Sequence, residues 1–169
     1  MRKVILNVAV SLDGLIEGPN GEYDWCFTDQ DYGLTDFFKS IDTIFMGRKS
    51  YELALSNGGM DMWKGTTTYV FSNTITESSS KDVKIIRSMN EVAAILQKPG
   101  KNIWLFGGAE LTTAFVNAQL VNEMWLSVHP IVLGSGKPLF QNLDTRKTFK
   151  LIDTITYSSG LVTLKYSQP

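Results

Sequence analysis

The sequence is poor in the residues on which much protein chemistry depends. It has one cysteine, Cys26, and one histidine, His129, in 169 residues. A lone cysteine excludes an intramolecular disulfide, and one Cys with one His cannot furnish a structural zinc site, so no metal is expected. Net charge is also missing: 16 basic against 17 acidic residues leave −1 at pH 7. That excludes a basic field over the whole protein of the kind that gathers nucleic acid, and any anion site must be local. Long apolar runs are absent. "VILNVAV" and "IWLF" are far too short to cross a bilayer. Arg2 and Lys3 lead straight into strand-like sequence rather than into a signal region, and together with the cysteine count this makes a reducing cytoplasm the expected location. No G-x-G-x-x-G fingerprint is present, and "GSGKP" lacks the upstream glycine of a P-loop.

What the chain does have is alternation. Its length suffices for one domain, residues 1–169, with a sizeable core, and neither repeat nor linker divides it. Strand-like runs fall at Val4–Val10, Thr43–Met46, Thr67–Phe71, Val83–Ile86, Asn102–Phe106 and Glu123–His129. The first and fifth are nearly continuous apolar runs, as expected of strands covered on both faces. Helical segments fall between them. "SMNEVAAILQKPG" has a capping box, Ser88 with Glu91, and ends at Pro99 and Gly100. "GAELTTAFVNAQL" puts Leu111, Phe115 and Leu120 at helical spacing, and "TDFFKSID" gives a shorter helix. "TITESSSKD", residues 74–82, reads as a surface loop. Near the end, alternating apolar residues on either side of "SSG" predict a hairpin. The class implied is α/β: a mixed, mostly parallel central sheet flanked by helices, closed by a C-terminal antiparallel hairpin.

Two strand-to-helix junctions are rich in glycine: "FMGRKSYE" at Gly47 and "LFGGAEL" at Gly107 and Gly108. Two readings stand for each. Either the glycines close tight turns with Arg48 and Lys49 solvated, or backbone N–H groups at a helix N-terminus hold an anion, with Arg48 adding a bidentate contact. "SLDG", residues 11–14, reads as an Asp-Gly turn. Asp29, Asp31 and Asp36 form a short acidic segment beside Trp25 and Tyr32, a solvated loop or one wall of a pocket. His129 reads as a satisfied structural histidine, and Cys26 has no base beside it and is assigned no nucleophilic role. "MWLSVHPIVL" with Trp125 reads either as an edge strand that pairs across a two-fold axis or as a central, buried strand.

In order, "VAVSLDGLIEG", "FMGRKSYE", "VFSNT", "LFGGAEL" and "LVNEMWLSVHPIVLGSGKPLF" resemble the dihydrofolate reductase-like superfamily. The closer resemblance is to the reductase domain of the riboflavin-biosynthesis deaminase-reductase and its small stand-alone relatives. It implies an NADPH-dependent reductase acting on a small heterocyclic or ribityl-type substrate, and a homodimer. It maps Gly47, Arg48 and Ser50 to the helix N-terminus near the cofactor phosphates, and Ser72, Asn73 and Thr74 to the adenosine 2′-phosphate. Gly107, Gly108, Ala109, Glu110 and Leu111 map to the second pyrophosphate junction. Ala9 and Ile16 fall where backbone groups hold the nicotinamide carboxamide. On the substrate side Asp13 and Asp36 are the candidate catalytic residues and Trp25 the candidate substrate contact. The chain departs from the pattern twice: Leu34 aligns with the acid of dihydrofolate reductases, and Phe106 stands where riboflavin reductase domains commonly carry an acid before the glycine pair. It also has no deaminase domain or zinc motif. Two alternatives remain, a dihydrofolate or pterin reductase and a non-catalytic NADP-binding interaction domain.

Overall fold

The structure, a computed structural model, describes residues 2–58, 63–78 and 80–169. Along the chain run β1 (Val4–Val10), β2 (Leu15–Glu17), α1 (Leu34–Ser40), β3 (Ile41–Gly47), α2 (Arg48–Ser56), β4 (Thr67–Phe71) and β5 (Val83–Ile86). There follow α3 (Asn90–Leu96), β6 (Asn102–Gly107), α4 (Ala109–Asn117), β7 (Glu123–Val128), β8 (Lys137–Pro138), β9 (Lys150–Thr156) and β10 (Val162–Ser167). One eight-stranded sheet has the order β5-β4-β3-β6-β1-β7-β10-β9, and β2 pairs with β8 in a small second sheet. The six strands from β5 to β7 run parallel, and β10 and β9 turn antiparallel at the end. The expected mixed α/β sheet with its closing hairpin is thus the one adopted.

The continuous apolar character of β1 follows from its central place. Its side chains alternate between the two faces. Val4 and Leu6 join Phe45, Leu105 and Phe115 in one cluster, while Ile5 joins Ile44, Met46, Trp104 and Phe37 in the other. Phe115, brought inward by the spacing of α4, is fully buried and packs 5.3 Å from Phe45. Burial of a side chain of this size contributes about 1.5–3 kcal/mol. In α3 the capping box is half made: Glu91 Oε1 accepts from Arg87 N at 2.7 Å and Ser88 N at 3.1 Å, but no side chain caps the helix in return.

Of the two readings of the Trp125 strand, the central one holds. The strand containing Trp125 is not an edge, because β7 lies between β1 and β10. The free edges of the large sheet are β5 and β9. Trp125 instead packs on Phe37 and lies under the Lys165 ammonium, 4.5 Å from the ring centre.

The parallel strands all end on the same side. Val10, Gly47, Phe71, Ile86, Gly107 and Val128 therefore deliver their loops to one carboxyl edge. Ligands of open α/β sheets bind beyond this edge.

Candidate functional site

The edge is split by a divergence between two central strands. β1 pairs with β7 from Ile5 to Val10, but with β6 only from Val4 to Leu6. In this ladder alternate residues face alternate neighbours. Lys3 O accepts from Ile103 N on the β6 side, whereas Val4 O and Val10 O accept from Asn122 N and His129 N on the β7 side. Asn7, past the last β6 pair, has its carbonyl taken by Trp104 Nε1 at 3.0 Å. Ala9 shares the parity of Lys3 and Asn7, so its N–H and C=O face the strip from which β6 has withdrawn. Ile16 lies on β2, which folds back beside β1, and its side chain packs against the larger core cluster.

The two glycine junctions rim this strip. Gly47 ends β3 and Gly107 ends β6, its paired neighbour, with Met46 opposite Gly107. Gly108 N donates to Ser50 Oγ at 3.1 Å, so a side chain of α2 ties the second junction to the first. Gly107 has φ of 105°, a conformation that favours glycine. Gly47 and Gly108 have ordinary negative φ. A Cβ built there would meet Gly107 O at 3.7 Å and Ser50 Oγ at 3.6 Å, both ordinary contacts. The fold itself does not require glycine at either place, and the missing side chains leave room for something else. Among the described residues neither α2 nor α4 has a side-chain cap, so the N-cap residue of each helix offers its first-turn N–H groups no side-chain acceptor. The two poles differ. α2 has no acid in its first turn and carries Arg48, whose Nη1 donates to both Glu52 oxygens at 2.9 and 3.0 Å. In α4 exposed Glu110 occupies the first turn and opposes a second anion, while the Leu111 side chain packs against the core.

The loop after β4 is held from within. Buried Ser72 Oγ accepts from Thr74 N at 3.2 Å and Ile75 N at 3.0 Å, which shapes the turn and leaves Asn73 and Thr74 exposed. Arg87 clamps that turn, donating to Ser72 O and, at 2.6 Å, to Ile75 O. Sequence reasoning passed over Arg87. The available signal was a cation directly after an apolar strand, the same signal that singled out Arg48.

The substrate-side candidates fare differently. Asp13 accepts from Ser11 Oγ at 2.6 Å, Leu133 N at 3.2 Å and Gly134 N at 2.8 Å, which staples the β1–β2 turn to the loop after β7. The Ser11 hydroxyl, then the Gly134 N–H, lower its pKa to about 2. A carboxyl held so low stays ionised at neutral pH, and both of its oxygens are engaged by the turn it staples. Asp36 sits on α1 with its side chain 89% exposed, bonded to Lys39 at 3.1 Å. Asp31 organises the start of α1 through Thr35 N at 3.0 Å, and the two Thr35 bonds lower its pKa. Trp25 packs edge-on to His129 at 5.3 Å, and its indole N–H is buried without a partner among the described residues. Leu34 opens α1 half exposed, and Phe106 stacks with Trp104 and Trp63 at 4.9 and 5.4 Å. The position of the absent acid is thus part of an aromatic wall.

Comparison with known proteins matches residues 2–163 to the family described as the RibD C-terminal domain. The chain is 46% identical to the protein YyaP of Bacillus subtilis (strain 168), over 98% of its own length and 94% of that protein. With YwjB of the same organism identity is 35%, with 95% of each chain covered. A solved structure from Shewanella sp. PV-4, whose description points to riboflavin biosynthesis, superposes with TM-score 0.86 at 26% identity, over 100% of this chain and 99% of that one. The diaminohydroxyphosphoribosylaminopyrimidine deaminase/5-amino-6-(5-phosphoribosylamino)uracil reductase of Thermotoga maritima shares the fold at TM-score 0.74 and 14% identity, this chain spanning 57% of it.

Proposed function

The chain belongs to the RibD C-terminal domain family and has its dihydrofolate reductase-like fold, and on that premise we propose that it is an NADPH-dependent reductase acting on a small heterocyclic or ribityl-type substrate. The observation that carries this reading is the end of β1–β6 pairing at Leu6, beside two helix N-termini without side-chain caps and glycines at 47 and 108 where a Cβ would meet only ordinary contacts. NADPH, when bound, supplies the hydride. The protein's part is to hold, orient and dry the reactants.

In this proposal Gly47, Arg48 and Ser50 hold phosphate at the start of α2, where the helix dipole and the guanidinium favour an anion. Gly107, Gly108, Ala109, Glu110 and Leu111 border the pyrophosphate at the second junction, the weaker pole because of Glu110. Ser72, Asn73 and Thr74 meet the 2′-phosphate on a turn stiffened by Arg87. The backbone at Ala9 and Ile16 takes the carboxamide. Trp25 and Phe106 contribute apolar surface on the substrate side. A net charge near zero is compatible with an acidic cofactor because the attraction is local.

The reading also makes the protein a poor dihydrofolate reductase. Well-placed general acid assistance is typically worth about 10²–10⁴-fold, and Leu34 offers none. The test has two arms. Calorimetry should show NADPH binding more tightly than NADH, and NADPH oxidation should follow addition of a member of a panel of carbonyl and imine substrates, with little rate on dihydrofolate. Absence of NADPH binding overturns the cofactor assignment. Binding without turnover across the panel favours a non-catalytic domain, and robust dihydrofolate turnover favours the pterin reading. The same proposal includes a homodimer. Its apolar candidate is the free edge β9, where Leu151 and Ile152 are each about half exposed. Sedimentation showing only monomer at micromolar concentration rejects it.

A further inference from the structure

His129 lies at the carboxyl end of β7, 3% exposed, with its backbone N donating to Val10 O. Its ring is fully committed. Nδ1 lies 3.0 Å from Ser127 O, and a carbonyl can only accept, so the proton sits on Nδ1. Nε2 is then a bare lone pair, and Phe27 N donates to it at 3.1 Å. Trp25 and Phe27 pack on the imidazole with ring centres at 5.3 and 5.0 Å, both edge to face. The segment they belong to, residues 18–33 between β2 and α1, has neither strand nor helix of its own. Two phenols anchor it elsewhere: Tyr32 Oη, which donates to Asp29 Oδ1 at 2.7 Å, lies 3.0 Å from the Ser159 hydroxyl, and Asn57 Nδ2 donates to Tyr23 Oη at 2.6 Å. Beside its middle is a cavity of about 440 Å³ lined by Cys26, Phe27, Thr28, Asp29 and Ser159. His129 holds the segment at its centre.

We infer that His129 is the latch of the Trp25–Phe27 segment: its Nε2 lone pair docks the segment on the carboxyl end of β7, and uptake of a proton releases it. Protonation turns Nε2 into a donor facing the Phe27 N–H, which is also a donor, so the bond is lost and a buried charge is created with no counter-ion in the contact. Burial lowers the histidine's pKa, partly opposed by the Ser127 bond, and no charged side chain is among the causes. The titratable groups on the surrounding segments are Glu22, Tyr23, Asp24, Cys26, Asp29, Asp31 and Tyr32 on the docked loop, Asp13 on the β1–β2 turn and Tyr157 in the hairpin. The docked state favours the neutral ring. Docking is therefore complete above the ordinary histidine value of about 6.5 and weakens by up to about tenfold per pH unit as pH falls from there through the lowered value. This inference is independent of the reductase reading.

The experiment is amide hydrogen exchange by NMR between about pH 8 and pH 5, corrected for intrinsic rates. The Leu6 amide, on a fully buried residue of β1, serves as the internal reference. In the wild type Phe27 protection should hold at high pH and fall on acidification while Leu6 protection persists. His129→Gln supplies an amide oxygen that accepts but does not titrate, so its Phe27 protection should not fall. His129→Ala should lose Phe27 protection at every pH. A flat wild-type profile, an acid fall retained in His129→Gln, or full Phe27 protection in His129→Ala overturns the inference. If His129→Ala does not fold, the wild type and His129→Gln decide it.

Discussion

At the β3 and β6 ends of the sheet, helix N–H groups stand uncapped and two glycines leave room where a Cβ would fit. At the ends of β1 and β7, which follow β6 in the sheet order, Asp13 and His129 direct their acceptors at backbone N–H groups. Both regions are loops at the carboxyl edge of one sheet. They differ in who satisfies the polar groups. Where the protein does so itself, the side chain is scaffold, however suggestive its chemistry. Where it does not, an unpaired group is held open at a cost, and a ligand is the simplest compensation.

The largest effect that would sharpen this contrast comes from filling the open region. Gly47→Val has room in the fold, because its Cβ contacts only Gly107 O at 3.7 Å. We expect a folded protein whose NADPH affinity drops by more than about 100-fold, since a crowded ligand loses roughly 3 kcal/mol or more. Thermal melting with calorimetry checks both halves. Unchanged affinity would mean that the glycine merely closes a turn.

Next is Arg48→Ala. Removing a charged hydrogen-bond donor costs about 1.5–3 kcal/mol, so NADPH should weaken by about tenfold or more and NADH by less. Equal losses place Arg48 on the pyrophosphate rather than the 2′-phosphate. Because Arg48 pairs with Glu52 across one helical turn and with no other acid among the described residues, both partly exposed, stability should hardly change.

The smallest effects belong to the closed region. The folded pKa of Asp13 lies below its unfolded value, so its contribution to stability is present above about pH 4 and is lost as pH falls toward about 2. Asp13→Asn should therefore melt slightly lower at neutral pH, with the difference closing in that window, and should leave NADPH affinity unchanged. Asp36→Asn should alter neither melting nor turnover beyond assay error. A collapse of turnover in either variant with stability intact would restore that carboxylate to the chemistry.

Much of this was legible beforehand. The runs at β1, β4 and β5 were readable to the residue because short apolar, β-branched runs bounded by polar residues leave few alternatives. The helix carrying Phe115 was readable from its spacing. The hairpin was readable from "SSG". The small β2–β8 sheet was not, because three and two residues carry no periodicity. The place of the Trp125 strand stayed open because an apolar strand looks the same whether it lies at an edge or in the interior; only its neighbours differ.

The same division holds for the site. The sequence by itself determined which residue types stand at the strand-to-helix junctions: glycines at 47, 107 and 108 and a cation at 48, a local matter of backbone freedom and charge. It also determined that no zinc site or disulfide is built from its one cysteine and one histidine. Only the tertiary structure decided that the two junctions adjoin, that β6 leaves β1 after Leu6, and that Asp13 is bound up with Leu133 and Gly134. The physical reason is that a side chain's chemistry depends on whether its hydrogen bonds are already made, and the partners that make them lie up to 121 positions away in the chain.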